Sequence, residues 1–275
     1  MANATLMVDL APPTELVERN PGGKIGLIEL PVDHASTNEL RKIIPSTQYG
    51  LFSNRLDFVD PVLSMKTLMA YKDDMARVAA NILPGTKLHV LVYGCTSGAM
   101  AIGIDQLHEL LKKSRPEAPH VTDPVTASIA AFRALNCRRV SMLTPYPREI
   151  NDALVRAYEQ RGIAVLRCCG FGLTTDRSIT ETPYGYIERC VAGMIDDMRH
   201  DSTELLFISC TALTIVDRIE QLERLTGLPV VTSNQALAWH AMQLARTAVN
   251  GGTHSVNIRS FGRLLDVDPC DSNSI

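Results

Sequence analysis

Apolar residues in this chain fall into short solid runs separated by longer amphipathic stretches. Lys24–Leu30, Leu88–Tyr93, Pro119–Thr122, Arg139–Thr144, Ala164–Cys168, Glu204–Ile208 and Pro229–Thr232 read as buried strands. Between them, helical spacing predicts helices over Leu63–Leu83, Ala99–Lys113, Glu149–Arg161, Tyr186–Arg199, Thr214–Thr226 and Asn234–Val249. In the first of these, Lys72, Asp73, Asp74 and Arg77 mark a wet face. Asp123-Pro124 supplies a cap and a first-turn proline for a further helix running to about Leu135. Gly162 ends the helix before it. Gly170–Tyr186 is rich in Gly, Thr and Pro and reads as a long functional loop. Strands alternating with helices predict an α/β fold with mostly parallel sheets.

Two of the runs look like one segment written twice. Leu91-Val92-Tyr93-Gly94-Cys95-Thr96-Ser97-Gly98 and Leu205-Leu206-Phe207-Ile208-Ser209-Cys210-Thr211-Ala212 are each an apolar strand ending in Cys-Thr-small, and their cysteines lie 115 positions apart. Ile25–Ile28 and Val140–Leu143 match at the same offset, and Pro119–Asp123 with Pro229–Ser233 at 110. Three matches in order predict two pseudo-symmetric Rossmann-like parallel-sheet domains. The first would comprise residues 1–122 with 234–275, residues 1–23 being an N-terminal arm, and the second residues 123–233. Two chain crossings suit a cleft with one cysteine on each lip.

Composition narrows the class. Hydrophobic residues make up 45% of 275, enough for a sizeable core, and a formal charge of −3 gives no broad basic surface. Nucleic acid and membrane are therefore not expected as partners. Met1–Gly23 carries acids and adjacent prolines but no apolar signal core. Seven cysteines without CxxC then point to free thiols in a reducing compartment, with the cytoplasm expected. No Walker A or GxGxxG stands at a strand–helix turn, and no His/Asp/Glu cluster has metal-ligand spacing, so no cofactor or metal is expected. The tail after Phe261 is expected to be mobile.

Each repeated cysteine sits where a strand gives way to a helix. Ligands of open sheets collect at that edge, and helix amides there favour the thiolate. The alternative for either cysteine alone is a buried structural thiol; it is the repetition that favours chemistry. Thr96, Ser97 and Thr211 follow the cysteines with hydroxyls and amides suited to an anion. Cys168-Cys169 read as core, and Cys137, Cys190 and Cys270 have no supporting pattern. His34 beside Asp33 is either a proton relay or incidental.

With Ile25–Ile28, Tyr93–Gly98, Leu143-Thr144-Pro145-Tyr146, Ser209–Leu213, and Thr232–Ala236 with Trp239, the chain resembles the aspartate/glutamate racemase superfamily. The resemblance is to its maleate cis–trans isomerase, arylmalonate decarboxylase and ectoine-utilisation branch, and spans roughly Lys24–Leu244. It implies an interdomain site working without metal, flavin or pyridoxal phosphate. Racemases and isomerases of the family use both cysteines, the decarboxylases only the second; this chain has both. The resemblance gives Tyr146 a donor role toward a carboxylate or enolate. Asn234 is either a carboxylate ligand or a helix cap. Where maleate isomerases carry two substrate-binding asparagines, this chain carries Asp33 and Asp176. An ionised Asp only accepts hydrogen bonds, so the pair disfavours a dicarboxylate and favours an ammonium, unless each is simply a turn former.

The expected function is a cofactor-independent isomerase, a two-cysteine racemase of a small carboxylic or amino acid. The alternatives are maleate cis–trans isomerisation by thiolate addition, and a two-lobed small-molecule binding or regulatory protein without turnover. A homodimer or homotetramer is the expected assembly.

Overall fold

The structure, a computed structural model, describes residues 7, 10–12, 14–15, 17–249 and 261–267. Cys270, the last eight residues and much of the expected N-terminal arm lie outside the described residues.

Eight strands form two four-stranded sheets. β1 (Gly23–Glu29), β2 (Tyr49–Arg55), β3 (Val90–Tyr93) and β4 (His120–Thr122) make the first, in the order β2-β1-β3-β4. β5 (Arg139–Thr144), β6 (Ala164–Gly170), β7 (Leu205–Ile208) and β8 (Val230–Thr232) make the second, in the order β6-β5-β7-β8. Every pair within both sheets is parallel. The two orders are the same once β1 is equated with β5, β3 with β7 and β4 with β8, which are the three pairs of sequence matches. β1, β3, β5 and β7 bury nearly every residue, as two-sided burial by flanking helices requires.

Eleven helices connect the described strands. α1 (Ser36–Ile43) and β2 were not anticipated; the buried face of α1 includes the polar Ser36 and Glu39, so its apolar residues are too few to show a pattern. β2 is an edge strand with alternating partial exposure, so its pattern is weak. The expected helix over Leu63–Leu83 is broken into α2 (Met65–Ala70), a 3-10 turn at Tyr71–Asp74 and α3 (Met75–Ala80). The turn buries Tyr71 and leaves Asp74 bonded to Arg77 and to the Asp57 amide. The helix expected over Ala99–Lys113 is two helices, α4 (Thr96–Ile102) and α5 (Ile104–Ser114). Gly103 divides them at φ 90, which a side chain resists.

α6 (Pro124–Ala134) begins as expected, its amides capped by Asp123 at 2.8 and 3.2 Å. α7 (Arg148–Glu159) stops before Gly162, which has φ 80. The long loop contains a short helix, α8 (Asp176–Thr180), followed by α9 (Tyr184–His200). α10 (Ile219–Thr226) is preceded by a 3-10 turn at Val216–Arg218.

The last long helix, α11 (Ser233–Ala248), joins the two units. It starts directly after β8, held by a capping box between Thr232 and Gln235, and packs back on β1, β3 and β4. Buried Glu39 on α1 ties the units together a second time. Its Oε2 accepts from the amides of Ile215 and Val216 at 3.0 and 2.8 Å.

Candidate active site

Cys95 is the N-cap of α4, with one residue, Gly94, between it and β3. Its sulfur accepts from the Gly98 amide at 3.2 Å and lies 3.6 Å from Ser97 Oγ. Cys210 follows β7 by one residue, and the Ala212 amide points at its sulfur at 3.4 Å. The backbone of Cys210 has φ 152, a region that residues with side chains rarely enter. Such strain persists only where surrounding bonds over-determine it, and here they do. Ser233 Oγ accepts from the Cys210 amide and from the Thr96 hydroxyl, both at 3.0 Å. One side chain on α11 therefore links the two cysteine loops.

The other hydroxyls expected at the site are partly committed. Thr211 donates its hydroxyl to the Gly94 carbonyl at 2.9 Å, tying the second cysteine loop to the first. Tyr146 is fully buried, with its hydroxyl close to the Cys210 sulfur and the Thr96 hydroxyl. Asn234 is not the cap of α11, since Thr232 is. Its Nδ2 donates to the carbonyls of Thr211 at 2.9 Å and Leu213 at 3.4 Å, and its Oδ1 is buried without a partner among the described residues. The two carbonyls fix the amide's orientation, so what Asn234 has left to offer is an acceptor.

Asp33 is buried, and its carboxylate is engaged at both oxygens. Oδ1 accepts from the amides of Ala35 and Ser36 at 2.7 and 2.8 Å, and the Ser36 hydroxyl donates to Oδ2. Asp33 therefore shapes the loop into α1. Asp176 opens α8, a segment positioned by pairing across the units: Leu63 N donates to Thr174 O at 2.8 Å, beside a bridge from Val62 to Thr175. Burial raises the Asp176 carboxyl to about 6, and the Asp33 charge adds to the rise.

These charges reach the thiols. Burial first, then the Asp176 charge, pushes Cys95 up to about 12. Burial dominates at Cys210 too, with the charges of Asp176 and Cys95 adding to it and the Tyr146 hydroxyl opposing. The expectation that helix amides would favour the thiolates is thus corrected. The Gly98 and Ala212 bonds act in that direction but are outweighed by desolvation and by a nearby carboxylate. A cation placed among Asp176, Cys95 and Cys210 would reverse the second of these effects, and a further anion would increase it.

Residues that the sequence did not single out complete the site. The Tyr93 hydroxyl is buried without a partner beside Cys95, and the charges of Cys95 and Asp176 act on Tyr71. A hydroxyl at the carboxyl end of a wholly apolar strand was the available signal for Tyr93. Tyr71 had none, and Ser233 showed only as a small residue at a strand–helix junction. His34 lies near Asp176, lowering its carboxyl slightly. Among the described residues no group of His, Cys, Asp and Glu could hold a metal ion.

Residues 70–256 match the arylmalonate decarboxylase family. An arylmalonate decarboxylase of Bordetella bronchiseptica is 30% identical over 142 residues, 51% of this chain and 55% of that protein. A maleate isomerase of Pseudomonas putida is 21% identical over 158 residues, 55% of this chain and 62% of that protein. The matched stretches thus span little more than half the length of these curated relatives. Nocardia farcinica maleate cis-trans isomerase, solved with a covalently bound succinylcysteine intermediate, superposes at TM-score 0.75 and 19% identity, over 90% of this chain and 99% of that one. A liganded arylmalonate decarboxylase variant superposes at 0.74 and 22% identity, over 89% and 99%. At these identities the two structures speak for the shared two-domain fold.

Proposed function

This chain belongs to the arylmalonate decarboxylase family, and on that premise we propose that it is a two-cysteine isomerase, a racemase of a small amino acid. The carrying observation is that Cys95 and Cys210, each from its own sheet, lie within each other's electrostatic reach beside the Asp176 carboxylate. Two sulfurs from opposite units suit proton exchange on opposite faces of one carbon. One sulfur, as thiolate, removes the α-proton: the C–H bond breaks, an S–H bond forms, and the electron pair moves into the carboxylate as an enediolate. The opposite thiol then delivers its proton to the other face. The first-turn amides of Thr96 and Ser97, which lack intrahelical partners by position, together with the Tyr146 hydroxyl, are the donors for the developing charge.

The sign of the local field supports an amino substrate. An ammonium beside Asp176 offsets the charge that adds to burial in holding both thiols protonated, and so eases formation of the base on binding. The unpartnered Asn234 Oδ1 is an acceptor for the same group. A dicarboxylate would raise both thiols further. The expected acceptor role of Asp33 is indirect, through its charge on Asp176.

The second reading, maleate cis–trans isomerisation by thiolate addition, is favoured by the covalent succinylcysteine in the Nocardia farcinica enzyme. Proton NMR in D₂O separates the two. Exchange of solvent deuterium into Cα of an amino acid, at constant total concentration, is the expected result. Maleate turning to fumarate without any Cα exchange would replace racemisation by the second reading. Loss of carbon dioxide from an arylmalonate with no exchange would overturn both.

A further inference from the structure

A second cleft, of about 530 Å³, lies among α5, α6 and α11, and none of the proposed site residues lines it. Its walls are apolar, with Ile104 on α5, Val121 on β4, Ile129 on α6 and Leu244 on α11. Its charged groups are mostly cationic. Arg133, Arg161 and Arg246 line it, against Asp105 as the one acid of the lining. Asp105 is fully exposed and touches Arg161 only at 3.9 Å. Arg246 donates to the neutral Gln243 at 3.0 Å, and the Arg133 guanidinium makes no hydrogen bond or ion pair among the described residues. Asp123, just below, is spent on capping α6 and on His108 Nε2 at 2.8 Å.

A second observation points to a ligand. Trp239 lines the cleft, is 6% exposed, and its indole N–H is buried without a hydrogen-bond partner among the described residues. A buried orphan donor is costly unless something supplies an acceptor. His240, its neighbour, is held neutral near pH 7 by burial, which lowers it to about 4, and pairs with the Thr122 hydroxyl at 2.8 Å. The cleft thus presents apolar walls and three guanidinium groups against one exposed carboxylate, with the unpaired Trp239 N–H buried in its wall. That is the complement of a molecule with a compact apolar body and one anionic head.

We propose that this cleft is a second binding site, for an organic anion such as an aryl or alkyl carboxylate or phosphate monoester, separate from the cysteine site. Its position gives the site a route to the reaction. Trp239 and His240 stand on α11, whose first residue, Ser233, holds the Cys210 and Thr96 loops. The proposal does not depend on which reaction the cysteines perform.

Trp239 is the one tryptophan in the sequence, so the emission comes from the wall of this cleft. The test titrates the full chain with benzoate, with phenyl phosphate and with neutral benzyl alcohol, exciting at the red edge of tryptophan absorption. Saturable change is expected with an anion and not with the alcohol, and the stronger of the two anions identifies the head group. The binding should survive alkylation of Cys95 and Cys210, and weaken at least tenfold in Arg133→Ala, Arg246→Ala. Arg133→Gln alone, at an exposed position, should weaken it about threefold and covers the case in which the double variant folds poorly. No saturable anion effect, equal binding by the arginine variants, or loss of binding on alkylation would each overturn the proposal. So would sedimentation showing that a second copy of the chain covers Trp239.

Discussion

Replacing Asp176 by Asn should make Cys95 and Cys210 markedly easier to ionise. The side chain keeps its shape and loses its charge. Asp176 has its carboxyl raised to about 6 by burial and by Asp33, so it is ionised at neutral pH and above. Its charge is the largest electrostatic influence on Cys95 after burial. A unit charge acting over roughly 6–8 Å at an effective dielectric near 20 is worth about 2–3 kcal/mol. At 1.36 kcal/mol per unit, the thiol should fall by about 1.5–2 units, bringing Cys95 from about 12 toward the ordinary thiol range.

The assay is the rate of alkylation by neutral iodoacetamide between pH 6 and 10, read peptide by peptide. Because the thiolate is the nucleophile, the rate at fixed pH should rise roughly 30- to 100-fold at Cys95, and in the same direction at Cys210. Cys168 is the internal reference, raised to about 11 by burial and by Cys169 and Asp152, with no contribution from Asp176. The difference between wild type and variant should close below pH 6, where Asp176 is itself protonated. Unmoved profiles at Cys95 and Cys210, or an equal shift at Cys168, would refute the assigned role of this carboxylate.

Cys95→Ser and Cys210→Ser should each lower turnover by more than about a hundredfold while leaving the melting temperature close to wild type, as for an essential proton-transfer group; near-normal turnover in either would remove the two-cysteine mechanism. Glu39→Ala should destabilise the fold by about 2–4 kcal/mol in urea unfolding, because it strands the buried amides of Ile215 and Val216. Gly98→Ala should cost activity more than stability, since the new methyl meets the Tyr93 hydroxyl and comes within 3.1 Å of Cys95 Sγ; kinetics and calorimetry on the same preparation check it. Asp176 also sets a pH dependence of stability. Its folded value lies above the ordinary 3.8, so the stability that its protonation confers is complete below about 3.8 and lost as pH rises through about 6. Asp176→Asn should therefore melt higher than wild type at pH 7, by about 1–2 kcal/mol after allowing for partial exposure, and not at pH 3.5.

The sequence by itself determined the α/β class, the doubled unit and the place of both cysteines. Parallel strands buried on two faces need solid apolar runs, and an internal duplication leaves those runs at a common offset, so β1, β3, β5 and β7 announce themselves. The cap of α6 was legible for the same reason, because Asp123 acts on amides two and three residues away, whereas the cap looked for at Asn234 lies two residues earlier, at Thr232. Edge strand β2 was not, since its half-exposed faces carry no strong period, nor was α1, whose buried face includes the polar Ser36 and Glu39. Gly103 divides α4 from α5 through a backbone angle that composition alone does not reveal.

Tertiary structure decided everything that depends on distance across the two units. Ser233 serves both cysteine loops, Thr211 reaches Gly94, and Glu39 caps a turn 176 residues away. No local pattern encodes such pairings, because each partner obeys only the rules of its own segment. The ionisation of the cysteines is of the same kind. Local geometry puts each sulfur at helix-type amides and predicts easier ionisation. Desolvation by the packed units and the charge of Asp176 on a distant loop reverse that sign, and only the folded chain brings those terms to the same place.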